Sequence, residues 1–232
     1  FDDDTVDKIY ATKLNTNGTA TAVEMYSTKN DTQNKNGESC SFIEACPDLA
    51  GTEQRYRIEV GDIIAAEVDK FRDGVISRVF MIYKASAYPE NAPEGIKPGW
   101  IVGAGYGYDT ANKNLFGNPY AVYNSVLANA SSYSVYGTRV LKGYVLSNAD
   151  NVLRFTTQDL SSGAAYDPTD GRFITNVDNS LKRYTVNYEG KKVKVSGTFA
   201  NDIKTYENYG KNASAVLMVS YGTEGVIVII NK

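Results

Sequence analysis

The sequence predicts an all-β protein, mainly strands with at most one or two short helices, built as two small β-barrel or β-sandwich domains in tandem. Three observations lead there. Apolar and polar residues alternate with period two along most of the chain. Turn signals rich in Asn, Asp and Gly recur between those runs. Tyr and Asn are abundant, at 18 and 20 of 232 residues, which suits half-buried strands joined by polar turns.

The elements follow in order. Val6 to Leu14 alternates, Asn15-Thr16-Asn17-Gly18 is a turn signal, and Thr19 to Tyr26 returns as a hairpin partner. The Asn-rich run from Thr28 to Ser39 reads as a loop. Arg55 to Val60 is a short strand ending at Gly61-Asp62, and Ile63 to Val68 continues it. Arg72-Asp73-Gly74 reverses the chain into a long apolar strand, Val75 to Tyr83. Together these make a first β-domain over residues 1–86.

Residues 87–135 form a Pro-, Gly- and Tyr-rich connection, open to being part of the second domain. It carries Pro89, Pro93, Pro98 and the only Trp, Trp100. Tyr120 to Ala130 has weak helical spacing and no strong cap, so helix and coil both stay open there. The second β-domain covers residues 136–232. Thr138 to Leu146 is a strand, Asn148-Ala149-Asp150-Asn151 turns, and Val152 to Thr157 returns. Further strands are expected at Arg172–Val177, Arg183–Tyr188, Lys192–Ser196, Ala215–Tyr221 and Val226–Ile230. Each half therefore opens on a hairpin with an Asn-containing turn and closes on a β-branched strand after a Gly-containing turn. That shared order suggests two copies of one β-unit.

Composition narrows the function. Hydrophobic residues at 42% and charged residues at 22% are those of a globular chain. A net charge of −3 gives no electrostatic reason to expect nucleic acid or an anionic membrane as partner. No apolar run approaches the roughly 18 residues of a membrane span. The chain begins at Phe1 with no signal sequence before it, which reads as a removed export signal or a piece of a longer polypeptide.

The chain contains no His. Ser-His-Asp and Cys-His activation, imidazole acid–base work and His metal ligation are thereby excluded. There is also no Ser-x-x-Lys, no Gly-x-Ser-x-Gly and no Walker Gly-Lys-Ser/Thr. Gly103-Ala104-Gly105-Tyr106-Gly107 lacks the Gly-x-Gly-x-x-Gly spacing and reads as a turn-rich linker. The expectation is a non-catalytic protein with no catalytic, cofactor-binding or metal-ligating residue.

Four minor sites are weighed against plainer readings. Cys40 and Cys46, in Cys40-Ser41-Phe42-Ile43-Glu44-Ala45-Cys46, form a disulfide candidate in an oxidising compartment; the alternative is two buried thiols. Closing so short a loop contributes about 2 kcal/mol in the chain-entropy model. Asp62, Glu67 and Asp69 lie near one strand and could serve a carboxylate-based glycoside hydrolase, but Glu67 and Asp69 read better as a solvent face. Calcium is the one metal that oxygen ligands alone could hold, yet neither Asp2-Asp3-Asp4 nor the Asn148–Asn151 turn matches an EF-hand loop. The aromatic residues Trp100, Tyr106, Tyr108, Tyr120, Tyr123, Tyr133 and Tyr136 cluster mid-chain. They serve either as a glycan-binding face or, more plainly, as a seam between domains.

At Ile58-Glu59-Val60-Gly61-Asp62-Ile63-Ile64, then Asp73-Gly74-Val75-Ile76-Ser77-Arg78-Val79, the chain resembles a recurring pattern of Gram-positive cell-envelope proteins. The pattern lies in the β-rich regions of proteins that carry S-layer-homology domains: a strand leads to Gly-Asp, and an Asp-Gly turn opens the next strand. The second half looks similar at Tyr144-Val145-Leu146-Ser147-Asn148, Lys191-Lys192-Val193-Lys194-Val195 and Asn212-Ala213-Ser214-Ala215-Val216-Leu217. The resemblance implies a structural module on the cell surface, outside the cell, held to the wall by another part of its polypeptide. Its implied partners are other envelope subunits or copies of itself, with cell-wall or host glycans as the adhesin alternative. No catalytic residue carries over. Lys–Asn and Lys–Asp amide cross-links, which some surface proteins carry, leave no spacing signature by which to place one.

Overall fold

In a computed structural model of the chain, the described residues are 7–34, 36–47, 55–85, 99–100, 138–149, 152–156, 165–167, 174–177, 182–189, 192–197, 203–221 and 224–231. Strands dominate them, as the alternation predicts. Two compact units form: Phe1–Lys13 with Thr21–Gly103, and Leu14–Ala20 with Ala104–Lys232.

β1 (Asp7–Leu14) and β2 (Ala20–Ser27) make the expected hairpin, its strands mainly in the first unit and Leu14–Ala20 counted with the second. Its turn closes by Asn15 N–H donating to the Thr19 carbonyl (3.0 Å), and the Asn17 side chain accepts from Thr19 N–H (2.9 Å). The run read as a loop holds one further ladder, β3 (Thr32–Gln33) against β4 (Ser39–Cys40). Asn34 explains it: its side-chain oxygen accepts from the amides of Asn36 (2.9 Å) and Glu38 (3.1 Å), so one polar side chain builds the turn. Next come β5 (Cys46–Pro47) and β6 (Arg55–Tyr56), paired antiparallel. The strand expected over Arg55–Val60 stops at Tyr56, because Ile58 N–H donates to Ile43 (2.9 Å) and Glu59 starts a turn.

A three-stranded antiparallel sheet completes the unit, with β8 (Ile76–Lys84) between β7 (Ile63–Val68) and β9 (Gly99–Trp100). The β7–β8 register slips twice. Val68 faces Ile76 while Glu67 faces Arg78, and Ile64 faces Met81 while Ile63 faces Tyr83. Ser77 and Ile82 are therefore bulged, and each bulge reverses which face the next residues occupy. Ile76, Val79 and Met81 consequently share one core with Met25, Phe42, Cys46 and Tyr56. Burying each such side chain contributes about 1.5–3 kcal/mol before the entropy of ordering it.

The second unit carries one seven-stranded sheet. Its strands are β10 (Thr138–Ala149), β11 (Val152–Thr156), β12 (Ile174–Val177), β13 (Lys182–Glu189), β14 (Lys192–Gly197), β15 (Ala215–Tyr221) and β16 (Glu224–Asn231). Their spatial order is β12-β11-β10-β15-β16-β13-β14, with only β13–β16 parallel. Among the described residues this sheet does not close into a barrel. β16 lies in its interior, and Ile227, Val228, Ile229 and Ile230 are each at most 1% exposed. Such an unbroken buried run marks a strand covered on both faces.

One element escapes the alternation, the single-turn helix α1 (Tyr206–Tyr209), which runs on into a 3₁₀ turn at Gly210–Asn212. The helix weighed over Tyr120–Ala130 lies outside the described residues.

Candidate functional site

Glu59-Val60-Gly61-Asp62 is a β-turn closed by Asp62 N–H donating to the Glu59 carbonyl (3.1 Å). Gly61 takes φ +99° at the third position, where a type II turn requires the left-handed region. The turn bends Asp62 back over its own start, so its Oδ2 accepts from Glu59 N–H at 2.8 Å. Across the ladder, Ile63 faces Tyr83, which brings Asp62 opposite Lys84 at the end of β8. Lys84 follows the bulge at Ile82 and is buried, as is every residue of β8 from Val79 onward.

There Lys84 is enclosed. Its Nζ donates to Asp62 Oδ2 (2.6 Å), to the Arg57 carbonyl (2.9 Å) and to Glu59 Oε2 (3.0 Å). Neither Lys84 nor Asp62 exposes any of its side chain, whereas Glu59 exposes 38%. The second Asp62 oxygen, Oδ1, accepts from Ala85 N–H at 2.9 Å. Burial pushes the Asp62 carboxyl above its ordinary range, against the pull of the Lys84 hydrogen bond and the two amides. Burial also raises the neighbouring Tyr83 hydroxyl, and the Asp62 charge adds to that.

The carboxylates weighed together from sequence do not converge. Asp62 meets Lys84; Glu67 pairs with Arg78, and Asp69 with Arg72 at 3.1 Å. Asp69 also caps the next turn, accepting from the amides of Phe71 (2.7 Å) and Arg72 (3.2 Å). Each of the three thus pairs with its own cation. Glu67 and Asp69 are partly exposed, as a solvent face would be.

A second buried polar chain lies in the other unit. Ser214 Oγ donates to Asn231 Oδ1, and Asn231 Nδ2 donates to Asn187 Oδ1 (2.8 Å). Lys204 N–H donates to Ser214 Oγ (2.9 Å), and Ser214 N–H donates to the Lys204 carbonyl (2.7 Å). This chain holds both ends of the α1 segment to the ends of β13 and β16. The bonds of this chain join parts of the same fold.

Cys40 and Cys46 stand on β4 and β5, both buried, and Cys46 belongs to the core of the first unit. Trp100 lies on β9 opposite Tyr83. Tyr106, Tyr108, Tyr120, Tyr123, Tyr133 and Tyr136 lie outside the described residues, as do Asp2–Asp4 and part of the Asn148–Asn151 turn. Lys84 and Glu59 carried no signal in the sequence. The clue available was a Lys closing an apolar strand, with a Gly-Asp turn before the strand it pairs with.

No helix among the described residues is long and apolar enough to cross a membrane. Compared with known proteins, the chain matches no family model, no curated protein and no solved structure.

Proposed function

We propose that the chain is a non-catalytic structural module of an exported bacterial surface-layer or cell-envelope protein, working by packing and assembly. The observation that carries this reading is the enclosure of Lys84 and Asp62. The most concentrated set of ionic groups in the described residues faces inward and joins a turn to a strand end. A site built to act on a ligand would instead leave such groups open to one. The Ser214–Asn231–Asn187 chain supports the same reading, because it too is consumed internally.

The finer fold reading, two small β-domains of barrel or sandwich type in tandem, belongs to this proposal. Its support is that each unit carries buried apolar residues of its own. The envelope assignment is supported by the Gly-Asp and Asp-Gly pattern: Gly61 and Gly74 take φ +99° and +73°, values that favour Gly at both turns.

Surface labelling of intact cells with a membrane-impermeant amine reagent, read with an antibody to this chain, tests the location. Labelling without lysis is expected. Labelling that appears only after lysis overturns the envelope reading. Sedimentation of the purified chain, alone and with purified wall material, tests the partners, and assembly with either is the expected result.

A further inference from the structure

We propose that Lys84 and Asp62 condense to an intramolecular amide between Lys84 Nζ and Asp62 Cγ, with Glu59 carrying the proton. The inference stands on the geometry of this cluster and does not depend on the envelope reading.

Four features of the site make it a reaction centre as well as an ion pair. The first is approach: Nζ sits 2.6 Å from Oδ2, and both side chains are sealed from solvent. Two reactants held this way react as if at very high concentration. The second is fixation of the electrophile. Ala85 N–H holds Oδ1 at 2.9 Å and Glu59 N–H holds Oδ2 at 2.8 Å, so the carboxyl cannot turn away. The Ala85 amide also faces the oxygen on which negative charge develops during attack, as an oxyanion-hole donor does. The third is a proton carrier. Glu59 Oε2 lies 3.0 Å from Nζ, and its partial exposure leaves a way out for water. The fourth is the environment. A buried ion pair carries a desolvation penalty, which conversion to a neutral amide removes. Burial pushes the Asp62 carboxyl up, towards the acid form that the reaction consumes.

The chemistry balances without oxidant, reductant or co-reactant. A proton passes from the Lys84 ammonium to Asp62 Oδ2, leaving an amine and a carboxylic acid. The amine lone pair attacks Cγ, forming the N–C bond, and the C=O π pair moves onto Oδ1 beside the Ala85 amide. Glu59 takes one proton from the now cationic nitrogen and returns it to the hydroxyl at Oδ2. The Cγ–Oδ2 bond breaks with its electron pair, water leaves, and the Oδ1 carbonyl re-forms. Both hydrogens of that water come from the ammonium, one stays on the amide nitrogen, and Glu59 ends unchanged.

The product ties β8 covalently to the turn before β7, at the open end of their ladder. Asp62 is the electrophile because it is the buried, doubly held carboxyl. Glu59 stands at the solvent edge, with 38% of its side chain exposed.

The test is the intact mass of the folded full chain, measured after denaturation, followed by peptide sequencing. The expected mass is one water below that of the sequence, with the Lys84 peptide joined to the Asp62 peptide. Lys84→Arg and Asp62→Ala are expected to show the full sequence mass. Glu59→Gln is expected to show it too, while keeping the wild-type circular dichroism. A folded wild-type chain of full mass overturns the proposal, and needs no variant to do so. Water loss that maps to a succinimide at Asp73-Gly74, or to a Lys84–Glu59 amide, also overturns it. A Glu59→Gln chain that closes the bond as completely and as fast as wild type overturns the role given to Glu59. A cross-linked chain found inside the cell would keep the bond and discard the envelope reading.

Discussion

Adding one methyl group at Gly143 tests the packing of the second unit more sharply than any truncation. Gly143 is a buried residue of β10, opposite Val216 of β15. A Cβ built there would lie 2.5 Å from the Thr156 carbonyl oxygen and 2.6 Å from Cδ2 of Phe155. The second contact involves a ring that is itself 0% exposed, and the first is backbone already committed to β11. Neither neighbour is the loose end of a flexible side chain, so β11 must move away from β10 to admit the methyl. Overpacking a core costs about 1–3 kcal/mol, and a clash with backbone belongs at the upper end, about 2–3 kcal/mol. For a chain of this size that lowers Tm by roughly 5–10 °C. The assay is thermal unfolding of Gly143→Ala by circular dichroism, paired with hydrogen exchange at β10 and β11. Protection should fall first at Tyr144, Val145 and Phe155, which pair beside the site. A second variant, Gly143→Ala with Phe155→Leu, should recover little, since the carbonyl contact remains. If Gly143→Ala melts within about 1 °C of wild type, Phe155 does not lie over Gly143 and the β10–β11 register is wrong.

Three further outcomes follow from the same contacts. Lys84→Met strands the Asp62 carboxylate in a sealed site and, measured against a chain in which the pair is still ionic, should cost about 3–5 kcal/mol in urea unfolding. Adding Asp62→Asn should restore more than about 1 kcal/mol; since neither chain can form the amide, no recovery would mean that no buried charge was left behind. Asn231→Ala removes the middle of the Ser214–Asn231–Asn187 chain and should cost about 1–3 kcal/mol, with earlier proteolysis between Lys204 and Asn212; equal protease resistance would count against that chain as the tether. Asp69 is held below its ordinary value of 3.8, first by the Phe71 amide and then by Arg72. Its folded form therefore binds its proton less readily than its unfolded form. The stabilisation is present above pH 3.8 and is lost as pH falls through the lower folded value. A nuclear magnetic resonance titration of Asp69 with a midpoint at or above 3.8 would contradict the turn geometry.

Strand positions were legible because local pattern and sheet agree over much of the chain. Ile63–Val68 and Ala215–Tyr221 appear with the expected bounds, and the hairpin at Asn148–Asn151 has Ala149 facing Val152. What escaped was set by polar side chains or by long-range pairing. The β3–β4 ladder depends on one Asn34 oxygen meeting two amides. The parallel β13–β16 pair joins segments about forty residues apart, and no local alternation encodes such a partner. The two opening hairpins look alike in sequence, yet β1–β2 stands as a two-stranded sheet while β10–β11 joins a sheet of seven.

The strand that ends in Lys84 shows how local alternation misassigns faces beside the site. Strict alternation from Ile76 would place 76, 78, 80, 82 and 84 on one face and 77, 79, 81 and 83 on the other. By that rule Val79 and Met81 could not share a core with Ile76, as they do. The bulges at Ser77 and Ile82 break the rule, and they come from pairing with β7, not from the composition of β8. Asp62 is hidden for a related reason. Gly-Asp reads as turn chemistry and Asp as a solvated turn residue, so nothing local says that the carboxyl will be enclosed. Both side chains are buried only because the turn and the strand end meet across the ladder, where each supplies the charge that makes burying the other tolerable. A lone buried Lys or a lone buried Asp would be expelled to solvent or neutralised. Their joint enclosure, with Ala85 and Glu59 amides on the two oxygens, is what turns an ordinary strand end into a site where a bond can form.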